Sequence, residues 1–144
     1  MITQIIFQFE KYKICEFKLK TMEFPSKNET YKIIGICMEV HNNLGKGFSE
    51  IVCKDALEFE FKANNIPFER EKEYLINYKG TILPHKFYAD FVVFGTIILE
   101  VKSVNNIANE HIAQTLNYLK ISKNKVGLIV NFGEEKLAYK RLVL

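Results

Sequence analysis

Two short apolar runs, Phe91-Val92-Val93 and Ile97-Ile98-Leu99, are separated only by Phe94-Gly95-Thr96. They frame residues 87–93 and 97–103 as the two strands of a tight hairpin. Side chains alternate between the faces of a strand, so a run without alternation is apolar on both faces. Such strands belong at the centre of a sheet, with a layer packed on each side. Charged residues are rare in that setting. Yet the first strand carries Asp90, and the second carries Glu100 and Lys102.

The rest of the chain supplies the covering layers. Ile33, Cys37, Val40 and Leu44 recur at helical spacing. They predict a helix that starts at Ser26-Lys27-Asn28-Glu29, where N-cap chemistry is available, and ends near Asn43. Gly45-Lys46-Gly47 then favours a turn with positive φ. A second helix over 48–64 shows two apolar stripes, Val52/Ala56/Phe59/Ala63 and Cys53/Leu57/Phe61. That is the pattern of a helix sandwiched between layers, with Phe48, Phe59 and Phe61 as core. A strand over 68–78 ends in a Lys79-Gly80 turn. A third helix over 108–121 buries Ala108, Ile112, Leu116 and Leu119, followed by strands at 126–132 and 137–143. The order is α-α-β-β-β-α-β-β, and 144 residues make one mixed α/β domain.

A three-residue loop pairs Val93 with Ile97 and sets Asp90 opposite Glu100. Tyr88, Asp90 and Val92 then share one side of their strand. Opposed Cβ atoms lie ~4.5–5.5 Å apart. Two carboxylates at that distance repel unless a cation lies between them, and hard oxygen ligands suit Mg²⁺. Lys102 projects to the same face as Glu100. A Glu-x-Lys triplet on a wet strand is an ion pair of little worth, and the apolar flanks set this one apart. Glu50 sits at the head of the second helix, where the helix dipole favours an ionised carboxylate.

Asp90 followed after nine residues by Glu100-Val101-Lys102 resembles the motif of the PD-(D/E)XK nuclease superfamily. Gly47-Phe48-Ser49-Glu50-Ile51-Val52-Cys53 resembles the signature of its GxxExxY branch, with Cys53 where that family has Tyr. Ile34-Gly35, Glu39-Val40-His41, Phe87-Tyr88-Ala89-Asp90, Gln114 with Tyr118, and the stretch from Gly127 to Gly133 extend the likeness over 30–144. The resemblance implies a restriction-endonuclease-like three-layer fold, with a mixed central sheet flanked by helices. It implies Mg²⁺, or Mn²⁺, held by Asp90 and Glu100, with Glu50 completing the inner or outer shell. Lys102 would polarise the attacking water, and Gln114 would hold the water or a neighbouring site residue. Gln114 and Tyr118 are one turn apart and face away from the stripe of the third helix. The implied reaction is hydrolysis of nucleic-acid phosphodiesters, DNA ahead of RNA, with a homodimer to cut two strands. A catalytically silent nuclease-like module that holds nucleic acid or a protein is the alternative. A small phosphodiester as substrate also stays open.

The net charge of +3 permits a nucleic-acid partner without arguing for one. Cys15, Cys37 and Cys53 show neither disulfide nor zinc spacing and read as idle thiols of a reducing cytoplasm. No apolar run reaches the ~20 residues that span a bilayer. His41, His85 and His111 lack a metal-ligand spacing; His41 is expected to pack near the glycine turn, and His111 to lie one turn from Gln114. Residues 1–21 mix Lys11, Lys13, Lys18 and Lys20 with apolar residues and acids, unlike a signal peptide. They read either as an extension ahead of a start at Met22, with the domain at 22–144, or as an added edge strand.

Overall fold

The computed structural model describes residues 26–144, so the segment 1–21 lies outside the described residues. Helix α1 spans Lys27–Leu44 and α2 spans Glu50–Ala63. Strands follow as β1 (Phe68–Tyr74), β2 (Asn77–Tyr78), β3 (Thr81–Ile82), β4 (Phe87–Val93) and β5 (Ile97–Lys102). Helix α3 (Asn109–Ser122) then leads to β6 (Val126–Asn131) and β7 (Ala138–Val143). Five strands form one sheet in the order β1-β4-β5-β6-β7, and β2 and β3 form a separate ribbon. Only β5 and β6 run parallel, because α3 carries the chain back across the sheet between them.

The expected three layers are present. Ile33, Cys37 and Val40 of α1, with Cys53, Leu57 and Phe61 of α2, pack on Phe91, Val93, Leu99, Val101, Leu128 and Val130. Leu119, Leu116 and Ile112 of α3 cover Ala89, Val92, Ile98 and Ile129 on the other face. The central hairpin is therefore apolar on both sides because both sides are covered. Its register is the expected one, with Val93 opposite Ile97 and Phe91 opposite Leu99.

Several local expectations change. Ser26 takes a left-handed conformation and its side chain caps nothing; α1 starts instead on the Ser26 carbonyl, which accepts from the Thr30 amide at 2.9 Å. Helix α2 buries only its Cys53/Leu57/Phe61 stripe. Phe59 is 69% exposed and Phe48 45%, so neither is core, and α2 has a layer on one side only. The strand expected over 68–78 stops at Tyr74, and the residues beyond it fold into the β2–β3 ribbon.

The most consequential departure is a kink shared by β1 and β4. Ala89 and Val92 both pack under α3, whereas Phe91 and Val93 pack under α1 and α2. Strict alternation would have kept Ala89 with Phe91. Likewise Phe68 joins the α2 side and Tyr74 the α3 side, though they are six residues apart. The ladder pairs Arg70 with Phe91 and Lys72 with Ala89, skipping Glu71 and Asp90 between them. Glu71 has φ 53. With one residue skipped on each strand, the two strands break together and the side chains on either side of the break change face. Tyr88, Asp90 and Val92 therefore do not share one side, and Asp90 is the residue at which the face changes.

Helix α2 is tied down across this kink. Arg70 of β1 donates to Asp55 at 2.7 Å and to Glu58 at 2.8 Å. One turn nearer the head of α2, Lys54 bridges Glu71 and Asp90.

Candidate active site

Asp90 and Glu100 meet where the β4–β5 ladder gives way to side chains. The Val101 amide donates to Asp90 Oδ2 at 2.8 Å, and the Asp90 amide donates to Glu100 Oε1 at 3.4 Å. Each carboxylate is thus fixed by the backbone of the opposite strand. Glu100 is 5% exposed. Burial first, and then the charge of Asp90, push its carboxyl up to about 8, while Lys102 pulls the other way. Two unit charges 4 Å apart interact by about 4 kcal/mol at an effective dielectric constant of 20, which is more than a surface ion pair returns.

One cation already answers part of that repulsion. Lys54 Nζ donates to Asp90 Oδ1 at 3.1 Å and to Glu71, with its side chain only 12% exposed. Burial works against its charge, but the bonds to Glu71 and Asp90 prevail and hold the ammonium above its ordinary range. Lys54 and Glu71 are absent from the sequence-based site. Lys54 lies four residues after Glu50 on one helix face, a spacing open to inspection, whereas nothing in the sequence marks Glu71 as the kinked residue.

Lys102 is half-buried on the β5 face that carries Glu100. Its backbone is locked, since the Phe132 amide donates to the Lys102 carbonyl at 2.8 Å. Asn131, fully buried, fixes the residues after it. Its side-chain Oδ1 accepts from the Val104 and Gly133 amides, and its Nδ2 donates to the Val104 carbonyl and to Glu134. All four of its hydrogen-bonding positions are used.

Glu50 and Gln114 are both exposed, and neither makes a hydrogen bond or ion pair to Asp90, Glu100 or Lys102. The Ser103 hydroxyl donates to the Phe48 carbonyl at 2.7 Å, which sets the head of α2, and with it Glu50, beside the end of β5. Tyr118, one turn beyond Gln114, does not face away from the core as expected. Its ring stacks on Phe87 at 4.2 Å, and Phe87 stacks on Tyr74 at 4.9 Å. Burial, then the charges of Glu100 and Asp90, push the Tyr118 hydroxyl up, so it feels both carboxylates. His111 is engaged at the start of α3, where its Nδ1 accepts from the Ala108 amide at 3.0 Å. His41 packs against Phe132 and reaches the Glu135 carbonyl, near the glycine turn as expected. Cys37 and Cys53 are buried free thiols.

Two carboxylates on rigid strands offer hard oxygen donors of the kind Mg²⁺ takes while keeping several waters. Asp90 and Glu100 are thus of the donor chemistry a divalent cation takes, with the two Asp90 oxygens held here by Lys54 and the Val101 amide. Among the described residues no group of three or more His, Cys, Asp and Glu side chains is gathered closely enough to hold a metal ion, so Glu50 stands outside that pair.

A mixed five-stranded sheet between helical layers, with an acid and a Glu-x-Lys on its central hairpin, defines a restriction-endonuclease-like domain. The family model of the PD-(D/E)XK nuclease superfamily matches residues 27–142, and the chain belongs to that superfamily. No curated protein matches it. Among solved structures it is similar to the crystal structure of SSO0001, with a TM-score of 0.53 and 24% identity over 65% of this chain and 50% of that one. This chain thus spans half the length of that protein, and the likeness concerns the fold alone. No helix among the described residues is long and apolar enough to cross a membrane.

Proposed function

We propose that the protein is a Mg²⁺-dependent nuclease that hydrolyses phosphodiester bonds in nucleic acid, with Mn²⁺ able to substitute. The observation that carries this reading is the pairing of Asp90 with buried Glu100 beside Lys102, on the central strands of a domain of this superfamily. Asp90 and Glu100 would hold the ion. A divalent cation there supplies positive charge for the phosphoryl oxygens and acidifies a water. Lys102 would orient the attacking water and stabilise charge growing on the phosphate. Glu50 would complete the ion's inner or outer shell, and Gln114 would hold the water or a neighbouring site residue. We assign the chain to the GxxExxY branch on Gly47, Glu50 and their spacing, and place DNA ahead of RNA as the polymer. One site cuts one strand, so cutting both strands of a duplex takes two copies. The buried free thiols support a cytoplasmic setting. The family match beginning at residue 27 supports a domain at 22–144. N-terminal sequencing of the native protein tests the accompanying inference that residues 1–21 are an extension.

Calorimetry should show Mg²⁺ or Mn²⁺ uptake by the parent and not by Asp90→Asn. A panel of labelled DNA and RNA should be cut only with the ion, and Lys102→Ala should abolish cutting without unfolding. Equal uptake by both proteins, or cutting by the Lys102 variant, would overturn the assignment. One observation favours a second reading, a module that binds without turnover: Lys54 already occupies Asp90 Oδ1. Metal uptake without cleavage of any substrate in the panel would select it.

A further inference from the structure

The ribbon between β1 and β4 is not explained by the candidate site. Ile76 and Leu83 close its base through the Leu83 amide, which donates to the Ile76 carbonyl at 2.8 Å. Lys79 and Gly80 both have positive φ, 50 and 84, the two-residue turn that matches strand twist. Asn77 Oδ1 accepts the Gly80 amide at 2.8 Å. Asn77 to Ile82 are all exposed, and among the described residues the ribbon's strands pair only with each other.

A two-stranded ribbon is marginal in water. This one nevertheless exposes Leu75, Tyr78 and Ile82 to half or more of their areas, with Tyr88 48% exposed beside it. Tyr78 and Ile82 lie at adjacent pairing positions, so opposite faces of the ribbon are apolar and wet. From Tyr74 to Ala89 the chain contains no Asp or Glu but includes Lys79, His85 and Lys86. Lys79 lies over the Tyr78 ring at 5.5 Å. Lys86 pairs with Glu73 at 2.9 Å, and Tyr88 donates to that same carboxylate. The position is as telling as the composition. Strand β1 ends and β4 begins at the end of the sheet where β5 delivers Lys102, so the ribbon leaves the sheet at the same end as Lys102.

We infer that this ribbon is a contact arm for single-stranded nucleic acid, with unpaired bases stacking on Tyr78 and Lys79 meeting the adjoining phosphate. The inference rests on the nucleic-acid reading proposed above. Exposed aromatic faces are of little use to a duplex, whose bases stack on one another. A single strand offers a free π-face at each base. Cations are few here, so stacking has to supply most of the affinity.

Fluorescence anisotropy with a labelled oligothymidine and a duplex of equal length, in EDTA to prevent cutting, tests this on the full chain. Tyr78→Ala should weaken single-strand binding roughly tenfold and leave duplex binding nearly unchanged, while Tyr78→Phe keeps the affinity. With about two phosphates neutralised, the logarithmic salt slope should be no steeper than about −2. Equal single-strand affinity in parent and Tyr78→Ala, equal losses on both nucleic acids, or no binding by the parent would overturn the arm. So would light scattering that shows a dimer of the parent which Tyr78→Ala dissociates, since the ribbon would then meet a second copy. The Mg²⁺ cleavage panel separates the two readings. Tyr78-dependent binding without cutting retires the nuclease and keeps the arm, and cutting with Tyr78-independent binding does the reverse.

Discussion

Lys54 is the residue whose removal tells most about the acid pair. Its ammonium is shared by Glu71 and Asp90 in a spot only 12% exposed on the lysine and 17% on Asp90. Removing one partner of a buried pair leaves the other charge without compensation. Partial exposure moderates the effect here, so Lys54→Met should cost about 1–3 kcal/mol, read as a lower urea midpoint. Adding Asp90→Asn should recover part of the loss, and strictly additive losses would show that the two do not interact. Glu100 gives a second prediction, for protein kept in EDTA. Its folded pKa of about 8 lies above the ordinary 4.5. Between those values the folded state keeps a proton that the unfolded chain has lost, so stability falls as pH rises from about 4.5 to about 8. Glu100→Gln should remove that part of the slope, worth on the order of a few kcal/mol over the window. Parallel stability curves for parent and variant would contradict the assignment of the slope to Glu100.

At the scale of elements, the end of β5 depends on a close approach at Gly133. A Cβ added there would lie 2.3 Å from the Val104 carbonyl oxygen and 2.5 Å from its nitrogen. Both are backbone atoms held by Asn131, so Gly133→Ala should displace the residues after Lys102 and cost about 3 kcal/mol or more, seen as a lowered melting temperature. Gly127 is more forgiving, because its added Cβ would meet the Thr115 and Leu119 side chains at 3.0 and 3.3 Å. These contacts also show which parts of the structure were legible in the sequence. Both layers over the sheet, the loop at Phe94-Gly95-Thr96 and the register of the central hairpin followed from periodicity and loop length, which are local. The approach of Asp90 to Glu100 follows from that same register. Lys54, Glu71 and the Tyr118–Phe87–Tyr74 stack were missed because they depend on a break at Glu71 and Asp90 that changes the face of β1 and β4 together. Single-sequence alternation assumes that a strand keeps its face, and neither Glu71 nor Asp90 is a residue type that announces a break. The apolar look of Phe48 and Phe59 misled in the opposite direction, since a stripe on a helix does not say whether a layer lies against it.

For the molecule as a whole, the sheet edges bear on how many copies act together. Among the described residues, strand β1 lines one edge with Glu69, Arg70, Glu71, Lys72 and Glu73, and β7 lines the other with Lys140 and Arg141. Charged edge strands resist pairing with a second sheet. Two copies are therefore not expected to join by extending the sheet, and each chain brings one Asp90–Glu100 pair. A monomer with one such site breaks one strand per encounter, and both strands of a duplex are cut only when two copies act at neighbouring positions. Light scattering without nucleic acid should give the mass of a single chain. A supercoiled plasmid treated with Mg²⁺ and low enzyme should pass through nicked circle before linear product appears, with linear product rising more steeply than nicked circle as enzyme is increased. Linear product formed from the first time point, with no nicked circle, would mean that paired sites act in one event and that the charged edges do not keep the copies apart.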